Sequence, residues 1–399
     1  EARTLGRARV EAQMAEYQNL IERLLPICED AYFKRFGARK RRAEKYRGEI
    51  KKRAQELARY VLPLGTEAYL YHTVSGLTLL RYWRLAETFD APREQRAVLG
   101  RMVELLLEAD PLFEKILQEP LPLEDTPEYA FFAGAGLADS DEGRAAWAAD
   151  FDAELGGRVS KLVDYKVRNE EATAQAVRDV FGVPASALSD DGAIELLLDP
   201  AKNPLLGETM NVTTLSKLTR ALHHASYTFR KRISHTADSQ DQRHRMTPAA
   251  RPCLRGYLAE EPDYITPELV LADEGVRKAY EESMARTWEA LGRLRALGVS
   301  DEDRAYLLPN AVAIRFTESS DLLNLHHKLK LRLCYNAQEE IWRASRDEAL
   351  QVAAVNPRLG RFLLPPCTLR HLAGRTPTCP EGARFCGVRV WTLDPTDCD

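Results

Sequence analysis

No run of apolar residues in this chain approaches the roughly 18 that a membrane-crossing helix needs. Neither sign of charge dominates. The 56 Lys and Arg face 60 Asp and Glu, a formal charge of −4, so the surface as a whole is not built to attract nucleic acid. Cysteine is too sparse and too lopsided for a secreted disulfide framework, with four of the seven falling after residue 360. The opening stretch, EARTLGRARVEAQ, has neither a signal-peptide pattern nor an initiator Met, and reads as the interior of a longer or processed product. Together these absences argue against secreted and membrane-spanning classes and point to a cytosolic protein.

What is present fits two or three globular domains. The chain has 399 residues, 45% of them hydrophobic, enough for more than one core. Residues 1–118 have the apolar spacing of helices, as in YQNLIERLLPICEDAYFKRF and QRAVLGRMVELLLEADPLFEKIL. Between these two stretches, Lys34 to Arg59 holds twelve Lys and Arg against three Glu. Such a run is ordinarily a solvated helical face, with RNA or DNA contact as the alternative. Residues 119–157 are rich in Pro, Gly and acids and show no period, which marks a boundary. The expected division is therefore a helical first unit (1–130), a linker (131–157), a second full unit (158–360) and a Cys-rich tail (361–399).

In the second unit RVSKLVDYKVRN reads as a strand, and EEATAQAVRDVFG as a helix ending at Gly182. TLSKLTRALHHASYTFRKRISH reads as a helix passing into a strand near Tyr227. Val276, Tyr280, Met284, Trp288, Leu291 and Leu294 share one face of a long amphipathic helix. SSDLLNLHHKLKLRLCYNAQEEIWRASRDEAL reads as another, capped by Ser or Asp. An internal echo links the halves: YVLPLGTEAYLYHTVSGLTLLRYWRL from Tyr60 resembles YLLPNAVAIRFTESSDLLNLHHKL from Tyr306. The first copy is longer upstream by about the length of the basic run.

The stretch SQDQRHRMTPAARPCLRG, residues 239–256, concentrates the chemistry. Arg243, His244 and Arg245 repel one another and cannot form a buried helical stripe. They are either a solvated loop or a seat for an anion, because arginine forks match the paired oxygens of phosphates and keep their charge. Cys253 reads as a buried thiol or, less simply, as a nucleophile. His326 and His327 read as a core or surface pair, or as site residues.

This region resembles the flavin-dependent thymidylate synthases. The Arg-His-Arg motif is intact at Arg243, His244 and Arg245, with the tail arginine at Arg255. Upstream, His224, Thr228, Phe229 and Gln240 fall at the family's spacing without a gap; downstream, RAYLLP and RLCYNAQEEI supply Arg304, Arg332, Ala337, Gln338, Glu340 and Ile341. The resemblance runs nearly end to end over 158–345 and covers only the family's C-terminal half in the first unit. It implies an α+β fold, a mixed sheet with long helices preceded by a mostly helical half-repeat.

The resemblance also implies FAD held by His224, Arg243, His244, Arg245, Asp321 and His327. It implies a pyrimidine nucleotide (dUMP, methylated to dTMP) held by Gln240, Cys253, Arg255, Arg304 and Arg332. NADPH and methylenetetrahydrofolate would be co-substrates. Family sites lie between subunits of a tetramer, so a tandem chain would form a homodimer that imitates one. Departures stand beside these matches. Pro248 replaces a Ser, Ala250 and Arg251 replace Asn and Glu, Cys253 replaces a second Ser, and Asp321, Leu323 and His327 replace Asn, Arg and Asn. The first unit has Ser75, Leu77 and Ala86 at matching places and no arginine constellation. That leaves a silent scaffold or nucleic-acid binder as the alternative function.

The tail is a separate signal. Cys367, His371, Cys379 and Cys386 offer three thiols and an imidazole, a donor set suited to tetrahedral Zn²⁺. Free thiols or a disulfide are the alternatives.

Overall fold

The computed structural model of the chain describes residues 1–88, 90–136, 140–209 and 216–393, without the side chains of Leu254 and Arg255. The first unit holds α1 (Ala2–Arg35), α2 (Ala43–Ala58), α3 (Gly76–Arg84) and α4 (Arg93–Ala109). The stretch without periodicity also folds into helices, α5 (Pro127–Gly134) and α6 (Asp141–Leu155). Ser140 caps α6, and Phe151 and Leu155 bury its inner face, so local capping and two apolar anchors order a segment read as a linker. The second unit runs β1 (Ser160–Tyr165), α7 (Asn169–Phe181), α8 (Asp190–Leu198), β2 (Ser226–Ser234), α9 (His235–Asp241), β3 (Ala249–Ala250), α10 (Glu268–Leu271), α11 (Glu274–Ala296), α12 (Asp301–Ala305), β4 (Ala313–Asp321), α13 (Leu322–Arg332), α14 (Glu339–Val355), α15 (Pro357–Gly360) and α16 (Pro366–Leu372).

The class is α+β. The four strands lie in the order β1-β2-β4-β3, and every pairing is antiparallel rather than mixed. Burial alternates along β2, a one-faced pattern that antiparallel sheets sustain and parallel sheets, covered on both faces, do not. The nine-residue register from Ser226 opposite Asp321 to Ser234 opposite Ala313 joins β2 to β4 along their whole length.

Two other sequence expectations change. The start of the helix expected before Tyr227 lies outside the described residues, and its visible part, Thr219–His224, is a 3-10 turn. The single helix expected from Asp321 to Leu350 is two, α13 and α14, with a turn between them closed by Ala337 N–H on Cys334 O at 2.8 Å. Asn336, a weak helix former, sits in that turn.

Two large cores and two smaller ones hold the described residues. In one large core, α1 and α2 of the first unit pack with α11, whose predicted face is 5% exposed or less at all six positions from Val276 to Leu294. Each such side chain contributes about 1.5–3 kcal/mol on burial. The other large core joins α7, α8, β2, α13 and α14. The two Tyr-x-Leu-Pro segments meet in the first core, where Pro63 and Pro309 form an antiparallel bridge. No helix among the described residues is long and apolar enough to cross a membrane.

Candidate functional site

Ser234 ends β2 and caps α9 by accepting Ala237 N–H at 3.1 Å. This short helix carries Gln240 and Asp241 to the start of the arginine turn. The turn then closes on its own backbone. His244 N–H donates to Asp241 O at 3.0 Å, and Thr247 N–H donates to His244 O at 2.9 Å. That geometry leaves Arg243 and Arg245 exposed, without an ion-pair partner among the described residues, while His244 is half-buried. The arginines stand on an open surface and not in an enclosed cavity. An apolar cleft of about 360 Å³ opens elsewhere, between α14 and the tail, and contains none of the candidate ligand residues.

His244 is held neutral. Burial, then the neighbouring Arg332 and Lys328, push its imidazole down to about 3. Arg332 Nε donates to His244 Nε2 at 2.9 Å and Arg332 Nη2 donates to Gln240 O at 2.7 Å. An arginine cannot accept a proton back, so this bond fixes the tautomer: the ring proton sits on Nδ1. His327 faces the same ring edge-on at 6.0 Å between centroids, and burial lowers its imidazole too.

Beneath the turn lies a cluster that the sequence does not announce. Lys231 and Lys328 meet Asp241, Glu318 and Glu348, all five with side chains 1% exposed or less. Lys231 Nζ lies 3.1, 2.9 and 2.6 Å from Asp241, Glu318 and Glu348. Three carboxylates against two ammoniums leave one negative charge uncompensated. Burial first of all pushes the Glu318 carboxyl up, against the pull of the two lysines. The two lysines hold the Asp241 carboxyl down against its own burial. Asp241 therefore ties the root of the arginine turn to β2, β4, α13 and α14.

The first unit reaches this site. Gln338, the N-cap residue of α14, accepts at Oε1 from Arg59 Nη2 at 3.2 Å and from Gln240 Nε2. Its Nε2 donates to the Tyr60 hydroxyl at 2.6 Å, and that hydroxyl donates to Glu340 Oε2 at 2.6 Å. Ser234 N–H closes the network on Glu340 Oε1 at 2.6 Å. Arg59 is the last cation of the basic run. The rest of the run is mostly exposed, apart from Arg39 stacked on Phe36 and Tyr46 and Arg53 paired with Glu56.

The structure does not gather the remaining candidates here. His224 is exposed. Asp321 is the N-cap of α13, accepting Asn324 N–H at 2.9 Å, and its other oxygen lies 2.9 Å from His223 Nδ1. Arg304 is buried and donates to Asp301 within α12, so a local ion pair engages it instead of an open nucleotide seat. Cys253 is half-buried, and burial with nearby Asp90 and Glu128 raises its thiol, the opposite of nucleophile activation. The side chain of Arg255 lies outside the described residues; its backbone belongs to the 3-10 turn Leu254–Tyr257. Arg251, at the family's acidic position, is a salt-bridge partner of Asp238 with Nε–Oδ2 at 3.0 Å, and it stacks over Phe316.

In the tail, Cys367, Cys379 and Cys386 border a common cavity with Cys334, from the turn after α13. His371 is exposed, its ring stacks on Trp391, and it does not border that cavity. Among the described residues, no group of three or more His, Cys, Asp or Glu side chains is placed so that it could hold a metal ion.

A family model described as "Thymidylate synthase complementing protein" matches residues 2–112 and 161–358. A flavin-dependent thymidylate synthase of Geobacter sulfurreducens is 34% identical over 171 residues, covering 42% of this chain and 70% of the relative. One from Sulfurisphaera tokodaii is 33% identical over 155 residues, and the match spans 38% of this chain and 59% of that relative, under two thirds of its length. One from Pyrococcus furiosus is 28% identical over 173 residues, covering 37% of this chain and 71% of the relative.

Proposed function

The chain belongs to the thymidylate synthase complementing protein family, and from that premise we propose that its second unit binds FAD and a pyrimidine nucleotide. The reaction proposed is the methylation of dUMP to dTMP with methylenetetrahydrofolate and NADPH. One observation carries the reading: a neutral His244, its tautomer set by Arg332, sits between two exposed arginines that have no carboxylate partner among the described residues.

The donor set fits a flavin nucleotide. Arg243 and Arg245 offer paired donors to phosphate oxygens. His244 offers a single Nδ1–H to a polar ring edge, and His327 Nδ1 is buried without a hydrogen-bond partner. Bound flavin would supply the hydride chemistry. The chain's own part is to grip phosphate, to keep His244 a donor at Nδ1, and to position Gln240 through Gln338, Arg59 and Tyr60.

The open placement of Arg243 and Arg245 supports an assembly in which a second copy covers them, a homodimer imitating the family tetramer. Arg251 favours a second reading, a silent scaffold or nucleic-acid binder. It takes the place of an acid in the motif and is engaged with Asp238. Absorbance in the flavin bands, or uptake of added FAD, separates the two. Rescue of a thymidine-requiring strain then tests the methylation itself. A colourless protein that takes up no FAD, and binds RNA through Lys34–Arg59, overturns the enzyme reading.

A further inference from the structure

Four of the six described cysteines come together from four places in the chain. Cys334 lies in the turn between α13 and α14. Cys367 is in the first turn of α16, and Cys379 and Cys386 flank the loop CPEGARFC. All four border one cavity of about 10 Å³, room for a single water-sized sphere. We propose that Cys334, Cys367, Cys379 and Cys386 bind one structural Zn²⁺ as a four-thiolate site. Cys334 thus takes the place that the sequence offers to His371.

The donor chemistry is that of a closed tetrahedral zinc site, with sulfur about 2.3 Å from the ion. Ligation draws the four sulfurs inward from the cavity wall, and the carrying segments permit this. Two are turns, one is a helix start, and the fourth ligand precedes Gly387, whose φ is +90°. A dication at the centre offsets the charge of four converging thiolates, whose protons are released on binding.

The placement gives the ion a structural task. Cys334 is two residues beyond Arg332, the residue that fixes His244. The tail loop is already anchored to this turn by Asn336 Nδ2 donating to Arg384 O at 2.7 Å. A side chain at Gly387 would meet the guanidinium of Arg39, in the 3-10 segment between α1 and α2, so the same loop lies beside the first unit. A zinc there clamps the tail onto the end of α13 and onto the first unit, a staple for a segment poor in apolar core.

The test is metal analysis of the full chain purified without added metal. The expected result is about one zinc per chain, released in step with mercurial titration of four thiols. Cobalt(II) added to the metal-stripped protein should give intense thiolate-to-cobalt charge-transfer bands. C334S and C367S should each lose the bound zinc, while H371A should keep it. The wild-type cobalt spectrum stands even where a Cys variant does not fold. A zinc-free protein that takes up no cobalt and whose four thiols react freely in the native state overturns the site. So does a disulfide among them in mass spectrometry, or zinc lost in H371A and retained in C334S.

Discussion

Pro63 and Pro309 face each other across an antiparallel bridge, and the bonds that flank them are equivalent. Leu64 N–H donates to Leu308 O, and Asn310 N–H donates to Leu62 O, each at 2.8 Å. Gly65 N–H to Tyr306 O at 2.9 Å and Ala311 N–H to Tyr60 O at 2.8 Å repeat the same relation. Two stretches 246 positions apart thus pair as the two sides of a twofold contact, which places Arg59 and Tyr60 beside Gln338.

Tyr60→Phe tests that junction. It removes one oxygen and leaves the Gln338 amide and the Glu340 carboxylate buried with a partner missing. The expected cost is about 1–3 kcal/mol of stability, read as a lowered denaturation midpoint at unchanged slope. An unchanged midpoint would remove the junction from the account.

The five-ion cluster predicts an asymmetry. Lys328→Met leaves one ammonium facing three buried carboxylates and should cost about 3–5 kcal/mol. Glu318→Gln leaves two of each sign and should cost far less. Because burial raises the Glu318 carboxyl, its contribution is full below the usual carboxylate range and is lost as pH rises. The cost of Glu318→Gln relative to the wild type should therefore shrink toward neutral pH. Equal destabilisation by the two substitutions would contradict this balance.

Acid should weaken the fold through its histidines. His244 and the buried His326 are both pushed down to about 3 from an ordinary value near 6.5. Both resist a proton that the unfolded chain accepts, so their stabilising contribution is complete above about pH 6.5 and declines as pH falls toward 3. Nitrogen NMR should show His244 neutral at pH 6, with its proton on Nδ1. Arg332→Met should raise its titration point only in part, since burial is the larger cause. A proton on Nε2 would refute the assigned tautomer.

Much of the helical frame is legible in the sequence. The face of α11 was readable because six large apolar residues recur at helical spacing, and the arginine turn because Arg243 and Arg245 have no place in a core. The buried lysines were not, since Lys231 and Lys328 look like surface charges until β2, β4, α9, α13 and α14 are assembled around them. Arg59 was hidden in a basic run whose other members are mostly solvated. The approach of Cys334 to the tail cysteines was not legible either, since no local signal links a residue 33 positions upstream to Cys367.

The proposed homodimer would cover the open face of the turn. Light scattering should give twice the 45.1 kDa chain mass. A monomer at all concentrations would leave Arg243 and Arg245 uncovered and count against a site shared between copies.

The most direct test of the central claim is an FAD titration of the full chain beside the double variant Arg243→Ala/Arg245→Ala. Each charge-assisted phosphate contact contributes about 1.5–3 kcal/mol, so the account predicts saturable binding by the wild type and a loss of at least tenfold per arginine in the variant. Wild-type protein that binds no FAD, or a variant that binds it equally well, would contradict the claim that these guanidinium groups hold the flavin nucleotide.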